Sequence, residues 1–289
     1  MGLQVRRLAD ALGVEITGVD LSQPISDEVF EDILAAWYEG LVAVFPGQAL
    51  DTEQQAAFAR RFGELELVRT IADERGGQTV MYVSNRPVEG FKGVLPKGEM
   101  QFHADQCYYE IPCMATFLYG IKIPARGGNT LFANGYRAYE SLSPATKDKI
   151  ERRTAHQVYD YDGSGTVRSD SHRADAPSFE HPIVVRHPVT TKPALFVNRL
   201  MTDHIVGMDR AEGTAMLEEL FCAIEASDNI YEHTWTPGDL VLWDNRCTLH
   251  ARTDFDPSEP RTLRRLTVKG TRPVAAFAPS ASALSLIHI

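Results

Sequence analysis

The sequence predicts a mainly β protein with flanking helices, built as a sandwich or jelly roll. From residue 79 onward, short runs rich in β-branched and aromatic residues recur, each bounded by Gly, Pro or Asn. Helical patterns gather in the first quarter and in two later segments, so the regular strand-helix alternation of a doubly wound parallel sheet is missing. The chain has 289 residues, 44% of them hydrophobic, enough to bury one substantial core. No repeat, low-complexity tract or long linker divides it. A single domain over residues 1–274 is therefore expected, with the Ala-, Ser- and Pro-containing residues 275–289 as a loose tail.

The elements follow in order. Residues 14–19 alternate apolar and polar positions like a half-buried strand. Ser26 is placed to cap a helix over 27–38 that Gly40 stops. Residues 41–45 form a buried strand, Pro46-Gly47 a turn, and Asp51 with Gln54 a capping box that opens a helix over 52–62, closed by Gly63. Strands are then expected over 79–83, 115–123, 129–133, 183–186, 194–198, 240–243 and 262–269. Ser143-Pro144 opens a helix with proline at its first position. A last helix over 209–226 carries Met216, Leu217, Leu220 and Ile224 on one face.

Charge narrows the partners. Lys and Arg number 29 against 39 Asp and Glu, a net charge of -10, which is not the electrostatic footprint of a nucleic-acid binder. No apolar run approaches the roughly 18 residues of a membrane span, and the first residues lack the apolar stretch of a signal peptide. A soluble, cytoplasmic protein is expected, without nucleic-acid or membrane partners. Cys107, Cys113, Cys222 and Cys247 form no C-x-x-C pair and are read as reduced thiols.

The chemistry concentrates in a few positions. His103-Ala104-Asp105 sets an imidazole and a carboxylate two residues apart, on one face if the segment is extended. His250, after Trp243-Asp244-Asn245-Arg246, where a strand ends and a polar loop begins, supplies a third ligand. Two His and one carboxylate leave open positions on an octahedral ion, the pattern of non-haem Fe(II) oxygenases. Taken alone, the H-x-D pair is weak and more often a surface His beside a solvated Asp than a ligand pair. In the strand over 262–269, positions 261, 263 and 265 face one way and 262 and 264 the other, so Arg261 and Arg265 point into the barrel while Arg264 meets solvent. Buried guanidinium groups need anions. Internal acids such as Glu64 or Glu66 supply them, or small ligands do, unless the strand lies at an edge with both arginines in water. Gly127-Gly128-Asn129-Thr130 is a turn feeding a strand, and Thr130 offers a hydroxyl beside one of those arginines.

Together, His103-x-Asp105, Gly127-Gly128-x-Thr130, Trp243-Asp244-Asn245-Arg246-x-x-x-His250 and Arg261 resemble the TauD/TfdA family of Fe(II)- and 2-oxoglutarate-dependent dioxygenases. The likeness runs from Gly18-Val19-Asp20-Leu21 through Phe45-Pro46-Gly47-Gln48 and Arg61-Phe62-Gly63 to about Gly270. It implies a distorted double-stranded β-helix of the cupin-like kind and a homo-oligomer, dimer or tetramer. His103, Asp105 and His250 would bind iron and form the catalytic centre. Arg261 would hold the distal carboxylate of 2-oxoglutarate, with Thr130 alongside, and O2 would take the last open position. The family's chemistry hydroxylates a C-H bond as 2-oxoglutarate becomes succinate and carbon dioxide. A hydroxylated carbon bearing an ether oxygen, amine or sulfonate then loses that group.

The resemblance has departures. Where the taurine enzyme places a substrate-contacting His and Tyr, this chain offers Val68 and Ile71, so taurine is a poor substrate guess. Phe102 replaces the Trp common before the first iron-binding His. The Gly- and Pro-containing loop over 85–101 reads as a substrate lid ending at Gln101, with Tyr108, Tyr109, Phe179 and Phe196 as further candidate walls that pack equally well in a core. In the family, the arginine at the place of Arg265 faces the acidic group of the substrate. Val68, Ile71, Gln101 and Arg265 are thus the expected substrate contacts, for a small acid carrying a carboxylate or sulfonate. His156, His172, His181, His187, His204 and His233 receive no metal role. The other readings are a cupin-like hydrolase or isomerase with zinc at the same ligands, and a non-catalytic jelly-roll binding protein.

Overall fold

The computed structural model describes residues 2–68, 78–88, 91, 93–160 and 175–277. The chain opens with β1 (Gln4–Arg7), β2 (Val14–Thr17), α1 (Asp27–Gly40), β3 (Val42–Phe45) and α2 (Thr52–Arg60). Next come β4 (Met81–Ser84), β5 (Met100–His103), β6 (Cys113–Lys122), β7 (Thr130–Asn134), α3 (Gly135–Ser141) and α4 (Pro144–Ile150). They are followed by β8 (Thr154–Val158), β9 (Ser178–Pro182), β10 (Val184–Arg186), β11 (Pro193–Leu195) and β12 (Thr202–Ile205). The chain closes with α5 (Arg210–Ile224), β13 (Ile230–His233), β14 (Leu240–Asp244), β15 (Thr248–Arg252) and β16 (Thr262–Lys269).

Two sheets build the jelly roll. The larger runs β1-β2-β3-β14-β6-β16-β4 and the smaller β13-β7-β15-β5. All these pairings are antiparallel except β2 with β3. Strand alternation divides the larger sheet between two cores. Val42, Val44, Val241, Trp243 and Leu263 face inward with Phe132 of the smaller sheet. Ala43, Phe45, Leu240, Leu242, Leu266 and Val268 face outward onto Ile33, Trp37 and Phe58 of the two N-terminal helices. A sheet buried on both faces needs near-continuous apolar strands, which is why these runs stand out in the sequence.

The helix signals act as expected. The Ser26 hydroxyl accepts from the Val29 amide, and Asp51 and Gln54 make the reciprocal capping box. Gly40 does not itself stop the first helix: Leu41 does, at φ 63°. Gly40 is instead required for packing, because a Cβ there would lie 2.8 Å from the Val14 side chain.

Two expectations change. Arg264 does point away from Arg261 and Arg265, but it is buried, not solvated. Its Nε donates to Gln55 Oε1 at 2.6 Å, its Nη1 to Thr52 Oγ1 at 3.1 Å, and its Nη2 to the Leu50 and Asp51 carbonyls at 2.8 and 2.9 Å. The start of α2 covers this strand face, so the outward arginine satisfies helix-entry carbonyls where it would otherwise meet water. Second, residues 275–277 of the expected loose tail are tied down. Ala275 bridges to Val185, the Ala276 amide donates to the Val184 carbonyl at 3.0 Å, and Phe277 lies 6.0 Å from the Tyr139 ring. Residues 278–289 lie outside the described residues. Among the described residues no helix is long and apolar enough to cross a membrane.

Arg264→Met is expected to lower unfolding free energy by about 1–3 kcal/mol, because it leaves buried acceptors unpaired. Urea denaturation measures it, and an unchanged midpoint would show that water replaces the guanidinium.

Candidate active site

His103 ends β5, and Asp105 follows in a turn that Gln106 closes at φ 60°. The two side chains therefore converge through the turn, not through the alternation of one extended strand. His250 lies within β15, opposite His103, and not in a loop beyond a strand. One donor atom from each of the three side chains falls within 4.8 Å of the others. His250 Nε2 stands 3.9 Å from Asp105 Oδ2, too far for a hydrogen bond and close enough to share an ion.

Protonation suits a metal. His103 Nδ1 lies 2.9 Å from the Gln101 carbonyl, which holds the proton on Nδ1 and leaves the Nε2 lone pair free. Burial pushes the His103 pKa down; burial and then His103 push His250 down to about 3. Burial works to raise Asp105, but the Arg265 guanidinium foremost, with the Thr116 hydroxyl, holds it well below the usual carboxylate range. Two neutral imidazoles and an ionised carboxylate are the forms that bind a divalent cation, so the donor set fits Fe(II).

A cavity of about 210 Å³ opens beside these residues. Arg261, Arg265, Thr130 and Val68 line it. Ile71 lies outside the described residues. Gln101 does not line the cavity, contrary to expectation. A register shift between His250 and Arg252 pairs those residues with His103 and Met100, so Met100 and His103 both face inward and Gln101 lies between them. What Gln101 contributes is its carbonyl, to His103. Of the four candidate aromatic walls, Tyr108 lines the cavity, Tyr109 packs against Tyr108, Phe196 is buried in the core and Phe179 lies against His181. From the lid segment, Val94, Leu95, Pro96 and Met100 line it.

The arginines differ. Arg261 donates from Nε and Nη2 to the Gly128 carbonyl at 3.1 and 2.9 Å, while its buried Nη1 has no partner. Gly128 sits at φ 67°, and a Cβ there would lie 2.8 Å from Arg261 Nε, so only glycine admits the guanidinium. Arg265 Nη2 forms an ion pair with Asp105 Oδ1 at 2.8 Å. Its internal acid is thus Asp105, while Glu64 pairs with Lys269. Thr130 Oγ1 accepts from Trp235 Nε1 at 3.0 Å, which leaves its own proton to donate.

Several positions were not singled out from sequence. Thr116 of β6 donates to Asp105 Oδ2 at 2.7 Å. Asn245 supports both residues: its Oδ1 accepts from the Asp105 amide at 3.3 Å and from Trp243 Nε1 at 3.0 Å, and its Nδ2 donates to Thr116 Oγ1 at 2.9 Å. No local pattern marks Thr116, whereas Asn245 stands in a segment already noted. Arg252 also lines the cavity, two residues beyond His250 on the same strand, a spacing that alternation could have flagged. Thr116→Val removes the only side-chain hydroxyl seen on Asp105 among the described residues and should weaken Mn(II) or Fe(II) binding by about 10- to 100-fold. Calorimetric metal titration checks this, and unaltered affinity would remove Thr116 from the support of Asp105.

The geometry matches known proteins. The family model described as taurine catabolism dioxygenase TauD, TfdA family matches residues 4–267. An (S)-phenoxypropionate/alpha-ketoglutarate-dioxygenase of Sphingobium herbicidovorans is 34% identical over 268 residues, 89% of this chain and 92% of that protein. An alpha-ketoglutarate-dependent 2,4-dichlorophenoxyacetate dioxygenase of Cupriavidus pinatubonensis is 30% identical, over 89% of this chain and 93% of its own. The crystal structure of AAD-2 in complex with Mn(II) and N-oxalylglycine superposes with a TM-score of 0.80 at 30% identity, over 94% of this chain and 99% of that one. With the family match spanning both sheets and every residue of the His-Asp-His cluster, the chain belongs to the TauD/TfdA family of Fe(II)- and 2-oxoglutarate-dependent dioxygenases.

Proposed function

We propose that this dioxygenase hydroxylates a small substrate that joins a carboxylate or sulfonate to an apolar body, with Arg265 as the anchor of the anionic group. The observation that carries the reading is the position of Arg265 between the His-Asp-His cluster and an otherwise apolar wall. Arg265 meets Asp105 through Nη2, and its Nε and Nη1 have no partner among the described residues, so those donors remain for a ligand. Val68, Met81, Val83, Leu118 and Tyr108 offer apolar surface around it. The relatives named for phenoxypropionate and 2,4-dichlorophenoxyacetate fit this chemistry, and a sulfate ester dioxygenase of Pseudomonas putida, 29% identical, fits the wider anionic class.

In this reading His103, Asp105 and His250 hold Fe(II), and Arg261 with Thr130 holds the distal carboxylate of 2-oxoglutarate. Bound there with O2, the metal and 2-oxoglutarate supply the oxidation that hydroxylates a substrate C-H bond and yields succinate and carbon dioxide. The protein's part is placement. Arg265 fixes the anionic end beside the cluster, so the carbon next to it is presented for reaction. If that carbon carries an ether oxygen, its hydroxylated form collapses to an alcohol and a carbonyl compound. Trp243 and Met201 give the cavity further apolar surface, which limits water around the reacting carbon.

The zinc hydrolase and the non-catalytic binding protein considered from sequence give way to the family assignment. The reading also makes the protein a cytoplasmic homo-oligomer, a dimer or tetramer. Its free cysteines support the compartment and the family likeness supports the assembly. The partner is a small acid and not nucleic acid or membrane, in keeping with the net charge of -10.

A panel of aryloxy and alkyl carboxylates, sulfonates and sulfate esters, read out as succinate formed with Fe(II) under controlled O2, tests the reading. Substrate-stimulated succinate is expected for the acids with apolar bodies. His103→Ala and His250→Ala should each abolish turnover with the fold preserved by circular dichroism, because each removes a metal donor. Full activity in either would strike that residue from the cluster. Arg265→Ala should also erase the preference for a carboxylate over its neutral amide. If kcat/KM discriminates equally in wild type and variant, another group reads the charge.

A further inference from the structure

We infer that Arg252 is a second arginine of the 2-oxoglutarate anion site and that the same side chain latches the loop over residues 93–99, so that filling the site and seating the loop are one coupled event. The inference rests on the cosubstrate reading above and adds to it a residue and a link between two parts of the site.

Arg252 is 7% exposed. On β15 it lies opposite Thr130 of β7 and Met100 of β5, so its guanidinium shares the cavity with Thr130 and Arg261. Its Nη2 donates to the Pro96 carbonyl at 2.8 Å and to the Gly98 carbonyl. Its Nε and Nη1 are buried without a partner. Arg261, 2% exposed, has the same incomplete pairing at Nη1. The two guanidinium carbons lie 5.8 and 5.9 Å from the centroid of one ring, Phe255.

Among the described residues neither arginine forms an ion pair. Two buried cations on one aromatic ring repel each other and have lost hydration, an arrangement that is costly until an anion arrives. A carboxylate between them satisfies Arg261 Nη1 and the free donors of Arg252 together, and Thr130 donates its remaining proton to the same ligand. Arg252 cannot serve that anion without fixing its own position, and its other donors hold Pro96 and Gly98. Val94, Leu95 and Pro96 of that loop cover the cavity. Anion binding therefore orders the loop, and by reciprocity a seated loop tightens anion binding.

Lys97 is exposed within the loop and offers trypsin a cut between the two carbonyls that Arg252 holds. The test uses Mn(II)-loaded full-length protein, with 2-oxoglutarate affinity read by calorimetry and cleavage after Lys97 read by mass spectrometry. In the wild type, 2-oxoglutarate should bind and should slow that cleavage several-fold, by about tenfold if opening is suppressed by one factor of ten in equilibrium. Arg252→Met should weaken 2-oxoglutarate by about 30-fold or more, the scale of a lost buried charge partner, and should cleave at the same rate with or without it. Arg252→Lys keeps the charge but lacks the planar fork, so it should retain more affinity and still lose the protection. It also carries the test if the Met variant fails to fold. Protection and affinity equal to wild type in the Lys variant, with Arg261→Ala alone losing 2-oxoglutarate, would overturn the role of Arg252 and leave the cosubstrate reading standing. No 2-oxoglutarate binding to the wild type would overturn both.

Discussion

An ionised carboxylate inside a closed double sheet is the constraint around which this protein is arranged. Asp105 is 8% exposed and must stay charged if it is to hold a cation. Five separate pieces of chain meet that demand. The Arg265 guanidinium comes from β16, the Thr116 hydroxyl from β6, the Asn245 amide from the end of β14 and the two imidazoles from β5 and β15. Desolvating the group without them would cost several kcal/mol. The consequence is architectural: these strands must stand in one register, since a slip of one residue would turn Arg265 or Thr116 to the opposite face.

Much of this was legible in the sequence because period-2 alternation is a geometric rule. It placed Arg261 and Arg265 on the cavity face and Arg264 on the other, and it marked the doubly buried strands by their unbroken apolar runs. It failed where local geometry departs from the rule. The shift in register between β15 and β5 turned Gln101 away from the cavity and left its carbonyl as the useful group. The fate of Arg264 depended on Gln55, 209 residues earlier in the chain, and no local pattern records such a distance. The support of Asp105 by Thr116 was hidden for the same reason: a threonine in an apolar strand looks like any other β-branched residue.

The residues that close the cavity follow another logic. Among the described residues, the cations at Arg252 and Arg261 have hydrogen bonds to backbone carbonyls and no ion pair with a carboxylate, and Gly128 is shaped to admit one of them. Stability alone would favour apolar groups at such positions. Their retention marks the part of the molecule where structure gives way to ligand chemistry, next to apolar walls that follow ordinary packing rules. The boundary between them runs through the cavity, polar at Thr130 and Arg261 and apolar at Met81 and Val83.

The order of strands in the larger sheet has a consequence for how the chain is made. β16, the last strand among the described residues, does not lie at an edge but between β6 and β4, and β14 lies between β3 and β6. A ribosome releasing this chain from its N-terminus therefore exposes β3, β4 and β6 long before their neighbours exist. Those strands must wait with apolar faces and open backbone edges, the state most prone to misassociation. Closure of the sheet and arrival of Arg265 beside Asp105 then occur together, once β16 has emerged. A nascent chain that has not finished its sheet has not finished its reaction centre either, so half-made molecules hold no assembled site for redox chemistry.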